Sequence, residues 1–321
     1  MRAARYGQMS RSGAHGIREL GAMASSVRLP SGGAAFYREN GYLIVEDLID
    51  RPLIERILAE GTAVCRGRRG PVDDLEPERP GEADDVVLAR YVTCTHVHKA
   101  SPWLSEFIAD QRFGEILGAL IGPNVKGIFS QFFIKHAGMQ GNAWHQDENF
   151  VPTRDRSLCT AWIALDEATE ENGCLRMIPG SHRSGVLYPM RPHNSADLDR
   201  AEECYDFPGL ERQIPIVLRP GSCVFFSGYI LHSSTTNRRA SGFRRALLYQ
   251  YASAETPIAY HPRNVPVRSD SDWRDFVLVR GRDPYTWKAR VDFTRAFLRR
   301  PGPMPEDQVL SALREHEKAQ A

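Results

Sequence analysis

Between about residues 125 and 255 the chain reads as short apolar strands cut apart by turns, and this narrows its possible folds more than any other feature. Strands are expected over 127–135, 160–165, 174–178 and 222–226, with a further apolar run at 246–251. Asn172-Gly173 marks a turn ahead of one strand, and Pro220-Gly221 a turn ahead of another. Several short strands spaced in this way predict a mainly β domain, a sandwich or a jelly roll. Helical spacing comes before it. Residues 34–39 predict a short helix ending at Gly41, and 42–45 a strand. Asp50 and Pro52 open a helix whose apolar face carries Leu53, Ile54, Ile57 and Leu58. Ser101-Pro102 opens one more, carrying Leu104, Phe107 and Ile108, then Ile116, Leu117 and Leu120. That stripe reads as core packed against a sheet. Residues 67–86, rich in Gly, Pro, Asp and Glu, predict a mobile loop.

Three residues on this scaffold form a pattern. His145 and Asp147 are two apart, so on an extended strand both side chains point the same way. His232 follows the apolar runs 224–226 and 229–231, near the end of a core strand. If the second strand folds back beside the first, two imidazoles and one carboxylate meet. Such a set holds one face of Fe(II) and leaves the other open for a co-substrate and O2. A His-x-Asp pair alone is weak, since chance supplies it often. Arg244 adds weight. It opens the apolar run 246–251, and an arginine turned inward there needs a carboxylate partner. A small dicarboxylate bound to the iron would supply one. Arg244 and Arg245 fall on opposite faces of a strand, so only one of them can point inside.

Four stretches carry a family resemblance: WHQDENF (144–150), TAWIALDEATEENGCLRMIPGSHR (160–183), RPGSCVFFSGYILHSSTTN (219–237) and GFRRALLYQYASAE (242–255). With them the chain resembles the phytanoyl-CoA dioxygenase family of Fe(II)/2-oxoglutarate oxygenases, from about residue 34 to 255. The resemblance implies a cupin-like jelly roll, a double-stranded β-helix with flanking α-helices. It implies iron ligands at His145, Asp147 and His232. It also implies that Arg244 pairs with the distal carboxylate of 2-oxoglutarate and that Ser234 makes a second contact to it. Trp162 and Gln131 match positions lining the co-substrate pocket, and Gln146 matches a glutamine between the ligands in several members. The activity implied is oxidative decarboxylation of 2-oxoglutarate to succinate and CO2, coupled to oxygenation of a small molecule, with ascorbate as reductant in vitro. Halogenating relatives replace the carboxylate ligand with a small residue, so Asp147 favours hydroxylation; desaturation and cyclisation stay open. The alternative is a cupin-like protein using a metal for non-redox work, or a binding protein. The first needs no arginine like Arg244, and decay to the second would have removed a ligand.

The rest of the sequence bounds this reading. The 321 residues divide into a disordered tail, 1–30, and a single oxygenase domain, 31–321, with its jelly-roll core at 125–255 and an extension at 256–321. The extension ends in a charged amphipathic helix near 306–318, expected to pack outside the roll or trail as a tail. Met23 reads as the true start. A hydrophobic content of 42% supports a sizeable core, and a net charge of +1 gives no reason to expect nucleic acid or an anionic membrane as partner. No apolar stretch reaches transmembrane length, and residues 1–28 lack the apolar run of a secretory signal. Six cysteines with no C-x-x-C pair fit a reducing cytoplasm. The polar segment 190–213 is either a solvated loop or a lid over the iron mouth. Arg154 and Arg156 either meet an anionic substrate or face water, and His96, His98 and His136 are pocket candidates or structural histidines. The prime substrate reads only as a small molecule, such as a secondary-metabolite intermediate, and the oligomeric state stays open.

Overall fold

Local signals set the first elements. The computed structural model describes residues 29–199, 202–257, 271–272 (backbone only), 275–290, 292 and 294–301. Residues 1–28 of the expected N-terminal tail, Met23 among them, and the helix near 306–318 lie outside these residues, whereas Leu29 packs against the main core. Helix α1 (Gly33–Asn40) ends at Gly41, whose φ of 83° suits glycine and whose N–H returns to Tyr37 O. Strand β1 (Tyr42–Val45) follows. Helix α2 (Arg51–Cys65) begins at Asp50, whose carboxylate accepts the Leu53 N–H at 3.1 Å, with Pro52 in the first turn. Next come α3 (Asp84–Leu88), β2 (Thr93–Thr95) and α4 (Val97–Ala100). The single helix expected from Ser101 is two, α5 (Pro102–Phe107) and α6 (Gln111–Leu120). Asp110 causes the break: its carboxylate accepts the Arg112 N–H at 3.0 Å and caps a new helix.

The expected strands are present, with bounds shifted by one to three residues; His232, expected near the end of a core strand, instead opens a separate short strand of a smaller sheet. The strand region holds β3 (Val125–His136), β4 (Cys159–Ala164), β5 (Leu175–Met177), β6 (Met190–Pro192), β7 (Glu202–Cys204) and β8 (Ile214–Ile216). Then come β9 (Cys223–Ser227), β10 (His232–Ser234) and β11 (Phe243–Ser253). The extension adds β12 (Ser271–Asp272), β13 (Val277–Arg280), β14 (Ala289–Arg290) and β15 (Phe297–Arg299). One eight-stranded sheet runs β1-β9-β4-β11-β3-β2-β15, with β13 also paired to β3, and a smaller sheet runs β10-β5-β8. The pairings within both are antiparallel. This is a jelly roll with flanking helices. The extension does more than trail, since β13 and β15 complete the large sheet.

Strand alternation then divides the large sheet into two faces. Phe132, Ile134, Ala161, Ile163, Leu247 and Tyr249 join the helices in the main core. Tyr249 and Tyr251 bury their rings there and donate their hydroxyls to Leu104 O and Ile108 O at 2.8 and 3.1 Å. The other face carries Trp162, Ala164, Ala246 and Leu248, which pack with Leu175, Met177 and Ile216 of the small sheet. By the same alternation Gln131, Lys135, Arg244 and Gln250 belong to this second face, between the two sheets.

The loop 67–86 is tied to the body of the protein by hydrogen bonds. Arg66 is buried and donates to Asp84 at 2.7 Å, to Glu78 at 2.8 Å and to the Glu82 carbonyl at 2.6 Å. Asp73 exchanges backbone bonds with Ala296 and Leu298. Two acidic side chains of this segment, Glu78 and Asp84, are partners of one buried guanidinium.

Candidate metal and co-substrate site

His145 and His232 form an isolated antiparallel pair, each N–H donating to the other's carbonyl, at 2.9 and 3.0 Å. This exchange sets the imidazoles side by side, ring centroids 4.1 Å apart. His145 Nδ1 donates to Ala143 O at 2.7 Å and His232 Nδ1 to Ile230 O at 3.1 Å. With Nδ1 carrying the proton, Nε2 is the ligand atom in both rings. Both Nε2 atoms face Asp147 Oδ1, at 3.8 and 3.6 Å. All three candidate ligand atoms lie within 4.8 Å of one another, and all three residues are buried. Asp147 does not continue a strand. It opens a short 3-10 turn, Asp147–Asn149, and the turn brings its carboxylate up to the rings. Thr160 donates to Asp147 Oδ2 at 2.6 Å, which leaves Oδ1 for an ion. Gln250 Nε2 lies 3.4 Å from Thr160 Oγ1 behind it. Two neutral imidazoles and one carboxylate suit Fe(II).

Arg244 is the buried guanidinium of this face, 2% exposed. It lies 5.1 Å over the Trp162 ring and gives one N–H to Gly173 O at 3.1 Å. Its Nε has no partner among the described residues. Burial pushes its pKa down to about 10, still well above neutral, so it stays a cation. Arg245 faces the other way and makes a forked pair with Asp166, both bonds at 2.8 Å. An orphaned buried donor beside three metal-ligand candidates is the arrangement a bound carboxylate would complete, so the residues present fit both Fe(II) and 2-oxoglutarate.

The other expected residues divide. Trp162 and Ser234 are buried in this space. Gln131 is half-buried on the same face of β3 and donates to Thr95 Oγ1 at 3.2 Å. Gln146 turns elsewhere. It is fully buried, its amide donates to Val186 O and Tyr229 O at 2.9 and 2.8 Å, and its oxygen accepts the Tyr188 N–H at 2.9 Å. Its side chain lies on the opposite side of the backbone from His145 and Asp147, so the expected co-substrate contact gives way to a clamp on the 186–188 loop. His98 is bound to Ser130 Oγ at 2.6 Å, His96 packs on Phe129 at 4.8 Å, and His136 sits against Ala137 O at 2.8 Å. Arg154 and Arg156 are exposed, each with φ 65°. Glu148, whose pKa burial pushes up, gathers the N–H groups of Thr153 and Arg154 in that turn.

Segment 190–213 packs behind the small sheet. β6 pairs with β7, and Cys204, Met190 and Phe207 join Ile178, Leu231 and Trp144. Trp144 and Leu231 point outward because their neighbours His145 and His232 point inward. A cavity of about 190 Å³ lies at the end of β10, lined by Asn142, Trp144, Arg176, Asp197, Ser233 and Ser234 among others; none of the three metal-ligand candidates lines it. The sequence reading missed Lys135. It is buried directly opposite Arg244 in the β3–β11 register, and period-two counting from Gln131 would have put it on the same face.

The phytanoyl-CoA dioxygenase (PhyH) family profile matches residues 37–246, well over half of the chain. The chain belongs to this family. It is a 2-oxoglutarate-dependent dioxygenase that works with Fe(II). A curated relative, the peroxisomal phytanoyl-CoA dioxygenase of Rattus norvegicus, is 27% identical over 238 residues, covering 68% of this chain and 67% of its own. Phytanoyl-CoA dioxygenase 1 of Oryza sativa is 30% identical over 143 residues, 44% of this chain and 50% of the relative. Among solved structures, the apo non-heme monooxygenase ThoJ is similar with a TM-score of 0.60 and 22% identity, covering 89% of this chain and 94% of its own. The epimerase SnoN, in complex with Fe3+, alpha ketoglutarate and nogalamycin RO, is similar with a TM-score of 0.56 and 21% identity, covering 84% and 97%. These two structural likenesses bear on the fold. No helix among the described residues is long and apolar enough to cross a membrane.

Proposed function

We propose that this dioxygenase hydroxylates an unactivated C–H bond of a small-molecule substrate, with His145, Asp147 and His232 as the iron ligands and Arg244 as the anchor for the distal carboxylate of 2-oxoglutarate. The observation that carries the reading is the unpartnered Nε of Arg244, buried between the same two sheets as the triad. A buried cation without a counter-charge costs several kcal/mol, and a bound dicarboxylate removes that cost. Bound Fe(II), 2-oxoglutarate and O2 supply the oxidising chemistry. The chain's residues bind and orient. The Trp162 ring faces the guanidinium, 5.1 Å from its central carbon, and gives the cation an aromatic wall. Thr160 holds Asp147 to one coordinating oxygen. The apolar walls of Ala164, Val224 and Leu248 keep the space between the sheets dry, which strengthens each charge pair formed there. The carboxylate of Asp147 occupies the position that halide would need, which favours hydroxylation over halogenation.

A reducing, cytoplasmic setting suits the six cysteines, all buried and unpaired. The test of the function is direct. Purified enzyme with Fe(II), ascorbate and O2 should convert 2-oxoglutarate to succinate, slowly alone and faster as candidate small molecules are added. If anaerobic calorimetry of the Mn(II)-loaded enzyme detects no 2-oxoglutarate binding, the reading fails and non-redox metal chemistry takes its place.

A further inference from the structure

Ser234 Oγ lies 3.0 Å from Lys135 Nζ and 3.0 Å from the Asn142 backbone nitrogen. Both neighbours are donors. A hydroxyl oxygen has two lone pairs and one proton. Both lone pairs are taken, so the proton of Ser234 has to be donated elsewhere, and no acceptor for it is found among the described residues. Lys135 is itself held by a second bond, to Thr235 O at 2.7 Å. Burial, then the neighbouring Arg244 charge, pushes its pKa well below the usual range. While Lys135 carries its proton, Nζ has no lone pair and can only donate in both of these bonds.

Lys135 and Arg244 are cross-strand partners, and they converge on one residue. Arg244 bonds to the Gly173 carbonyl, and a Cβ on Gly173 would stand 3.2 Å from Lys135 Nζ and 2.3 Å from Thr235 O. Gly173, with φ 81°, lets the Lys135 and Arg244 side chains and the end of β10 close together. Among the described residues, the carboxylates that act on Arg244 and Lys135, Asp166 and Asp199, are paired with Arg245 and Arg299.

The geometry points to Lys135 as a positioning residue for 2-oxoglutarate: with the Asn142 N–H it saturates Ser234 Oγ, so that the serine hydroxyl can only donate, and it donates beside Arg244 to the distal carboxylate. This rests on the assignment of Arg244 as the anchor. It adds a selectivity for anions, since a ligand group that must itself donate finds no acceptor at Ser234.

The experiment is anaerobic calorimetry on the full-length, Mn(II)-loaded enzyme with two probes, 2-oxoglutarate and 2-oxobutyrate, which lacks the distal carboxylate. Losing one charge-assisted hydrogen bond should weaken 2-oxoglutarate binding roughly tenfold in Ser234→Ala and in Lys135→Met. 2-Oxobutyrate should bind each variant as it binds the wild type. The double variant should be no worse than the weaker single, because both substitutions remove one interaction. Lys135→Arg, which keeps a donor, should recover part of the affinity. Mn(II) affinity should stay within about twofold throughout. Equal losses for both probes, or additive losses in the double variant, would make Lys135 a structural residue and overturn the inference. If Lys135→Met does not fold, Ser234→Ala decides alone: unchanged 2-oxoglutarate affinity sinks the idea. Arg244→Ala separates the two levels. If it binds 2-oxoglutarate normally, the anchor reading itself is wrong; if it fails to bind while Lys135→Met and Ser234→Ala are silent, only this inference falls.

Discussion

Arg66 and Arg244 are both buried guanidiniums, and their surroundings are opposites. Arg66 spends its donors on Asp84, Glu78 and the Glu82 carbonyl, all within the chain. Arg244 spends one on Gly173 O and has an Nε with no partner. The pKa directions agree: hydrogen bonds to Glu78 and Asp84 hold Arg66 above its ordinary value, while burial pulls Arg244 down. A desolvated cation that the fold satisfies is architecture. One that the fold leaves short marks a place where a ligand completes the electrostatics.

The largest expected effect tests whether the Arg244 side is catalytic at all. His145→Ala, Asp147→Ala or His232→Ala should each lower succinate formation more than about 100-fold, beyond the 10- to 100-fold typical of residues behind metal ligands. Circular dichroism should show the fold retained, since the Arg66 cage is far from these changes in sequence and in role. A variant with normal turnover would remove that residue from the ligand set.

Next is the contrast itself. Arg244→Ala leaves a bound carboxylate unpaired, a loss of about 2–5 kcal/mol, or roughly 30-fold and upward in the 2-oxoglutarate dissociation constant. Arg244→Lys should recover only part, because an ammonium cannot form the two-pronged pair. Arg66→Ala should do the reverse, lowering the melting temperature and leaving 2-oxoglutarate affinity alone. If Arg66→Ala weakens co-substrate binding as much as Arg244→Ala, the comparison collapses.

A third measurement sharpens it. At about 100 times its dissociation constant, 2-oxoglutarate should add about 2.7 kcal/mol to wild-type stability through binding to the folded state alone. Arg244→Met should show no such gain at the same concentration. Without ligand it should be at least as stable as wild type, because an unsatisfied buried charge has been replaced by an apolar chain of similar length. Thermal shift with and without 2-oxoglutarate reads both. The smallest effect belongs to Arg245→Ala, where loss of the half-buried pair with Asp166 should leave 2-oxoglutarate affinity within about twofold. A large loss there, with Arg244→Ala silent, would mean that the neighbouring arginine is the anchor.

Much of this molecule was readable from the chain. Short apolar runs and the Asn172-Gly173 and Pro220-Gly221 turns give the strands, because these signals are local. Alternation also separated Arg244 from Arg245. The parts not readable depend on closure of the fold. Nothing in residues 67–86 announces that Glu78 and Asp84 surround one buried arginine 12 and 18 positions earlier in the chain. Asp110 looked like an ordinary polar position in a helical stripe, and its capping role shows only where the chain turns. Gln146 is held by loop carbonyls 40 and 83 positions away. Thr160 gains its role from a carboxylate on a 3-10 turn, and Lys135 from a hydroxyl on another strand.

The indole beneath Arg244 has an optical consequence. Trp162 is 2% exposed and shares its ring face with a guanidinium that a carboxylate would neutralise. Capture of 2-oxoglutarate changes the electric field across that ring, so the emission of Trp162 should shift as the pocket fills. The protein carries its own gauge of co-substrate occupancy, readable without label, turnover or knowledge of the prime substrate.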